Sequence, residues 1–171
     1  MERNVLDSYF YAINRVIDAI YHEEDLSDIL YFIVSLAKEL TGAKGSTIRV
    51  LEHGTFDLKV VASCGLSQAY LKSGAIDRGK SVSEIMKGDT IIIDDFNTSS
   101  NIQNLKAAEK EGVNSFIGIP FTVNETTYSI LRVYFKSKKV PVREEMEFLN
   151  SLGRLSCIAI HRAAAMDFDK L

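Results

Sequence analysis

Residues 89–135 read DTIIIDDFNTSSNIQNLKAAEKEGVNSFIGIPFTVNETTYSILRVYF, and the order of patterns in this stretch decides the fold. An apolar strand runs into Asp94 and Asp95, and a polar loop (FNTSSN) follows. A short helix (IQNLKAAEKEG) leads to an apolar strand closed by Gly118 and Pro120, then a tight turn and the long strand TYSILRVYF. A strand with small residues and a proline end, followed at once by a hairpin, builds a rigid sheet. Its flanking loops are then free to enclose a small molecule. No catalytic constellation accompanies the pattern, so a sensor or binding module is favoured over an enzyme.

Outward from this stretch the chain reads helix, helix, hairpin, irregular middle, strand, helix, hairpin, helix. Residues 4–22 place Val5, Tyr9, Ala12, Ile13, Val16 and Ile20 on one face at the helical repeat. A second helix is expected from Asp25, with Asp28 in a capping-box-like position and Gly42 as its stop. Strands are expected at Gly45–Leu51 and Phe56–Cys64 around a turn at His53–Gly54. Ser81–Glu84 reads as a capping box opening a short helix that ends at Gly88. The last helix follows Pro141, runs to about Asp167, and carries Met146, Leu149, Leu152, Ile160 and Ala163 inward. Two antiparallel hairpins with helices at both chain ends give an α+β domain, the terminal helices packed on one sheet face. Only loops and short helices remain to cover the other face, and a sheet roofed in that way leaves a cavity suited to small molecules.

Composition narrows the function classes. The chain of 171 residues is long enough for one domain with a sizeable core, and 46% apolar with 25% charged residues argues against disorder. A net charge of −3 offers nucleic acid no bulk attraction. No apolar run approaches the roughly 20 residues that span a bilayer. Glu2, Asp7 and Asn14 interrupt any apolar leader, and the chain reads as cytoplasmic with no membrane partner. Cys64 and Cys157 lie far apart without a CxxC partner, and His22, His53 and His161 lack ligand spacing. The two thiols are read as small buried apolar groups in a reducing compartment, and neither metal nor cofactor is expected.

Several landmarks, in order, carry a resemblance. They are Leu40–Ala43 before the first strand, Ala62–Leu66 after the second, Gly79–Val82, Asp94 closing the third, and EGVNSFIGIPF at 111–121 with Phe148 and Leu149 in the last helix. Over roughly residues 24–165 the chain resembles the GAF domain family of sensory modules. The resemblance implies an antiparallel sheet of five to six strands, with a ligand cavity between sheet and middle loops. It divides the chain into an N-terminal helix (residues 1–23, for dimerisation or linkage) and a sensor domain (residues 24–171). It leaves two forms open: part of a longer signalling protein with an output domain, such as a kinase, cyclase or transcription factor, or a small stand-alone protein. Cyclic nucleotides are disfavoured, because the Asn-Lys-Phe-Asp-Glu type motif has no counterpart. Neither cysteine sits in a bilin-attachment motif, no histidine is placed for haem, and the clustered cysteines of a GAF-fold methionine sulfoxide reductase are missing.

The candidate site rests on two arginines inside strands. Alternation puts Arg49 with Thr47 and Leu51, and Arg132 with Ile130 and Tyr134. If the aliphatic faces meet the helices, both guanidinium groups point to the loop-covered side, where their donor forks suit a carboxylate or phosphate. A small anionic ligand is therefore expected, gripped by Arg49 and Arg132 with Tyr134 and Phe116 as apolar wall. Ser63, Ser81, Asp94 and Asp95 complete the candidate set. The competing reading lays each arginine along the sheet with its head in water, or pairs it with Asp94 or Asp95. Asp95 and Asp94 also suit bonding to the backbone of the Phe96–Asn101 loop, and Ser81 suits a helix N-cap.

The terminal helices are expected to form a homodimer, Ala159, Ala163 and Ala164 allowing close approach. The competing view has both helices covering their own sheet. Three classes follow: a ligand-sensing regulatory domain, a structural dimerisation module without ligand, and, least favoured, an enzyme.

Overall fold

The computed structural model describes residues 3–22, 24–51, 58–73, 87–99, 104–123 and 128–168. The expected turn at His53–Gly54, the start of the second strand at Phe56, and the capping box at Ser81–Glu84 fall outside them. So does the tip of the last hairpin.

Helices α1 (Arg3–Tyr21) and α2 (Leu26–Thr41) precede the hairpin of β1 (Gly45–Leu51) and β2 (Leu58–Cys64). After α3 (Gln68–Lys72) come β3 (Ile91–Ile93), a 3₁₀ turn (Phe96–Thr98) and α4 (Leu105–Glu111). The chain closes with β4 (Ser115–Thr122), β5 (Tyr128–Phe135) and α5 (Arg143–Phe168). The strands form one antiparallel sheet of five in the order β2-β1-β5-β4-β3. This is the expected α+β architecture, at the lower of the two strand counts.

Period-two patterning gives each central strand two buried faces. Ile48, Ile117, Ile119, Leu131, Val133 and Phe135 pack against α2 and α5 in the larger core, and α1 packs on those two helices. Tyr9 of α1 stacks on Phe148 of α5, centroids 4.2 Å apart, so α1 belongs to this helical layer. Ile91, Ile93, Phe116, Ile130 and Tyr134 face the other way and join Tyr70 of α3 and Ala108 of α4. Gly118 at the centre of β4 is forced by packing. A Cβ there would come within 2.9 Å of the Phe116 ring and 3.1 Å of Ile130 Cδ1.

Two expectations are corrected. Asp25 stands at the N-cap of α2, but its side chain makes no capping bond. Its main-chain carbonyl accepts from the N–H groups of Asp28 and Ile29 instead. The middle segment, read as irregular up to Ser81, contains α3, whose N-cap Ser67 accepts from the Tyr70 N–H.

Candidate functional site

Strand register assembles the site. On the face turned away from the long helices, Ser63, Thr47, Arg132, Gly118 and Ile91 lie side by side across all five strands. The next row holds Gly45, Tyr134, Phe116 and Ile93. The row on the other side holds Val60, Arg49, Ile130 and Pro120. Arg49 and Arg132 therefore share a face with Phe116 and Tyr134, in adjacent rows. A register shift between Ile48 and Arg49 leaves Val61 of β2 unpaired, and Val61 is exposed.

Arg132 is 4% exposed, and the Phe116 ring lies 5.7 Å from its guanidinium carbon. Its Nε and Nη2 donors are buried without a hydrogen-bond partner, as is Nε of the half-buried Arg49. Among the described residues no carboxylate pairs with either arginine. The Nε–Nη2 edge is the fork that takes a carboxylate or phosphate in two parallel bonds. Burial pulls the Arg132 guanidinium below its ordinary value, Tyr134 opposes this and Arg49 adds to it, yet an arginine stays charged. Burial alone would raise the Tyr134 phenol. The positive charges of Arg132 and Arg49 outweigh it and hold that phenol below its usual value. The Thr47 hydroxyl sits near enough to Tyr134 to help, though without hydrogen-bond geometry.

Tyr70 closes the site from α3. Its ring meets Tyr134 edge-on at 5.9 Å, its hydroxyl is buried and unpartnered, and burial followed by the neighbouring Tyr134 pushes its pKa up. The position of α3 is set by Glu111 at the end of α4. Its carboxylate accepts from both the N–H and the hydroxyl of Ser67, with Lys44 at 3.8 Å.

The remaining candidates sit apart from the arginines. Asp94 pairs with Lys138 at 3.0 Å on the surface, a contact that holds its carboxyl below the usual range. Asp95 caps the 3₁₀ turn by accepting from the Asn97 N–H at 2.9 Å. Neither acid neutralises Arg49 or Arg132. Ser63 shares the Arg132 row but stands on edge strand β2, where it lines a shallow groove with Gln68 and Leu71. Ser81 lies outside the described residues. Tyr70 is absent from the expected set because α3 was not foreseen, although Ser67 followed by Gln-Ala-Tyr is a legible N-cap signal. Among the described residues no three His, Cys, Asp or Glu side chains group as metal ligands.

The sequence profile of the GAF domain matches residues 23–161. The chain belongs to the GAF domain family. Similar solved structures include the GAF domain of a phosphoenolpyruvate-protein phosphotransferase from Coxiella burnetii, with TM-score 0.73 and 16% identity over 97% of this chain and 99% of that one. A domain of a two-component sensor histidine kinase protein from Sinorhizobium meliloti gives 0.71 and 15%, over 86% and 99%. The phycocyanobilin-bound GAF domain of a cyanobacterial phytochrome gives 0.72 and 14%, over 92% and 96%. At these identities the likeness shows the shared fold alone. No curated protein sequence matches the chain.

Proposed function

We propose that this GAF domain is a non-catalytic sensory module that holds a small anionic ligand against the second face of its sheet. Arg132 and Arg49 grip the anion, Phe116 and Tyr134 wall it, and Tyr70 and Ser63 border it. The observation that carries the reading is the buried Arg132 fork with two unpartnered donors. An unpaired charge in the interior costs several kcal/mol after relaxation. A ligand that brings the opposite charge offsets that cost, which makes the empty site costly and the filled one favourable.

The similar structures support the sensory reading, since they come from a sensor histidine kinase, a phosphotransferase and a phytochrome. An output domain of the kinase, cyclase or transcription-factor kind in a longer protein fits the same reading. The module works as a homodimer in the cytoplasm. No described helix is long and apolar enough to cross a membrane. Dimer contacts fall to α1, whose outward side exposes Leu6, Phe10, Ile17 and Tyr21. On α5, Ala159 is buried within its own chain and does not serve such a contact, whereas Ala164 is exposed.

Thermal unfolding with a panel of small carboxylates and phosphates tests the anion site. A ligand at a hundred times its Kd stabilises by about 2.7 kcal/mol. At least one anion should raise the Tm of the wild type, and Arg132→Met should not respond to it. If no anion shifts the wild type, or if the variant responds equally, the reading fails.

A further inference from the structure

A groove lies on the side of the sheet opposite Arg132, where the C-terminal half of α5 passes the end of β4. It has a volume of about 590 Å³ and is lined by residues 121–123 of β4 and its end, by Cys157 and Ile158, and by Arg154, His161 and Arg162. Gly153 of α5 sets the place of Phe121. A Cβ on that residue would fall 1.9 Å from the Phe121 ring, so the absent side chain is what lets the ring lie against the α5 backbone. Ile158, also on the lining, is 54% exposed.

The rim carries one sign of charge. Arg154 and Arg162 line it, and among the described residues no acidic side chain does and neither arginine has an ion-pair partner. Arg162 spends Nη1 on the Ile20 carbonyl and Nη2 on the Glu24 carbonyl at 3.4 Å, while its buried Nε has no partner. Apolar walls with a few convergent polar donors are the usual form of a small-molecule site, and this volume falls in the usual range of roughly 300–1,000 Å³. The cations specify an anionic head and the Phe121–Ile158 walls a hydrocarbon body. The Cys157 thiol does not convert the site into a covalent one, because burial pushes its pKa up to about 11 and little thiolate forms at neutral pH.

We infer that this groove is a second ligand site, for an amphipathic carboxylate with a medium-length alkyl chain. Because Arg162 also ties down the end of α1 and its connection to α2, an anion drawn to its guanidinium acts on the junction between α1 and the rest of the helical layer. This site is separate from the Arg132 fork and does not depend on it.

Decanoate, kept below its micellar concentration, is the probe. Calorimetry on the full chain should give saturable one-to-one binding, with amide shifts in residues 20–26 as well as 154–162. Arg154→Glu and Ile158→Glu, both at exposed positions, should each weaken binding at least tenfold. Arg132→Met should bind decanoate like the wild type, which keeps this result distinct from the fate of the sheet-face site. Decyltrimethylammonium, with the same tail and the opposite charge, should not bind. The inference is overturned by an absence of saturable decanoate binding, by equal binding of the cation, or by wild-type affinity in Arg154→Glu. It also falls if Ile158→Glu breaks a dimer, for a second copy of the chain would then be the occupant.

Discussion

Removing the charge of Arg132 separates two accounts of its burial. If its free donors await a ligand, Arg132→Met in the dialysed, ligand-free protein relieves an uncompensated charge and raises stability by about 1–3 kcal/mol, since apolar replacement of buried ionic groups is often favourable. If the guanidinium were structurally paired, the same change would cost about 3–5 kcal/mol. Urea unfolding decides between the signs. Tyrosine absorbance gives a second readout: without the positive charge that holds it down, the Tyr134 phenol should titrate at higher pH. Gly153 poses a similar contest of magnitudes. Alanine in a helix is favoured over glycine by about 1 kcal/mol, but forcing a packed neighbour out of its place costs about 1–3. With the Phe121 ring 1.9 Å from the added Cβ, the clash wins. Gly153→Ala should lose about 1–2 kcal/mol in denaturant unfolding. Adding Phe121→Leu should restore part of it, because the smaller side chain vacates the contact.

At the scale of elements, strands and long helices were legible because their patterns are local. Period-two alternation and Gly45 set β1, and the αL residue Gly42 (φ 68°) stops α2. The same alternation placed Arg49 with Thr47, and Arg132 with Tyr134, before any pairing was known. It could not show that Thr47 stands opposite Arg132, since register comes from pairing between strands distant in sequence. Nor could it show the unpaired Val61, which exists only because β2 and β1 shift against each other. The groove beneath α5 was equally hidden: it needs Phe121 of β4 to meet Gly153. The placement of α3 depends on such a distant contact too, the Glu111 carboxylate on Ser67. Glu111→Ala strips the Ser67 N–H of its acceptor and frees α3 from α4. A global loss of about 1–3 kcal/mol is expected for hydrogen bonds to a charged group. Hydrogen exchange at Tyr70 and Leu71 should quicken by more than that loss implies, because α3 opens before the sheet does. Uniform exchange across the chain would refute the idea that α4 holds α3 in place.

For the whole molecule the open matter is where the folded unit ends and its partner begins. One stripe of α1 (Tyr9, Ala12, Val16 and Ala19) is buried within the chain. The opposite stripe carries Leu6, Phe10, Ile17 and Tyr21 outward, Phe10 being 71% exposed. Together with the half-buried Ile13, these side chains recur every three or four residues, the spacing that seats one helix against another. The helix therefore has two roles that separate by face. Val16→Glu places a charge in the core and should unfold the domain. Phe10→Glu changes a side chain that is 71% exposed, so it should leave monomer stability within about 0.5 kcal/mol. In sedimentation equilibrium the wild type should associate to twice its 19.1 kDa mass and Phe10→Glu should stay at the single mass. A wild type that remains monomeric at high concentration removes the dimer and leaves α1 a cover for its own α2 and α5. A Phe10→Glu protein that unfolds along with Val16→Glu would show that the outward stripe is needed for the fold itself, and that no face of α1 is spare for a second copy.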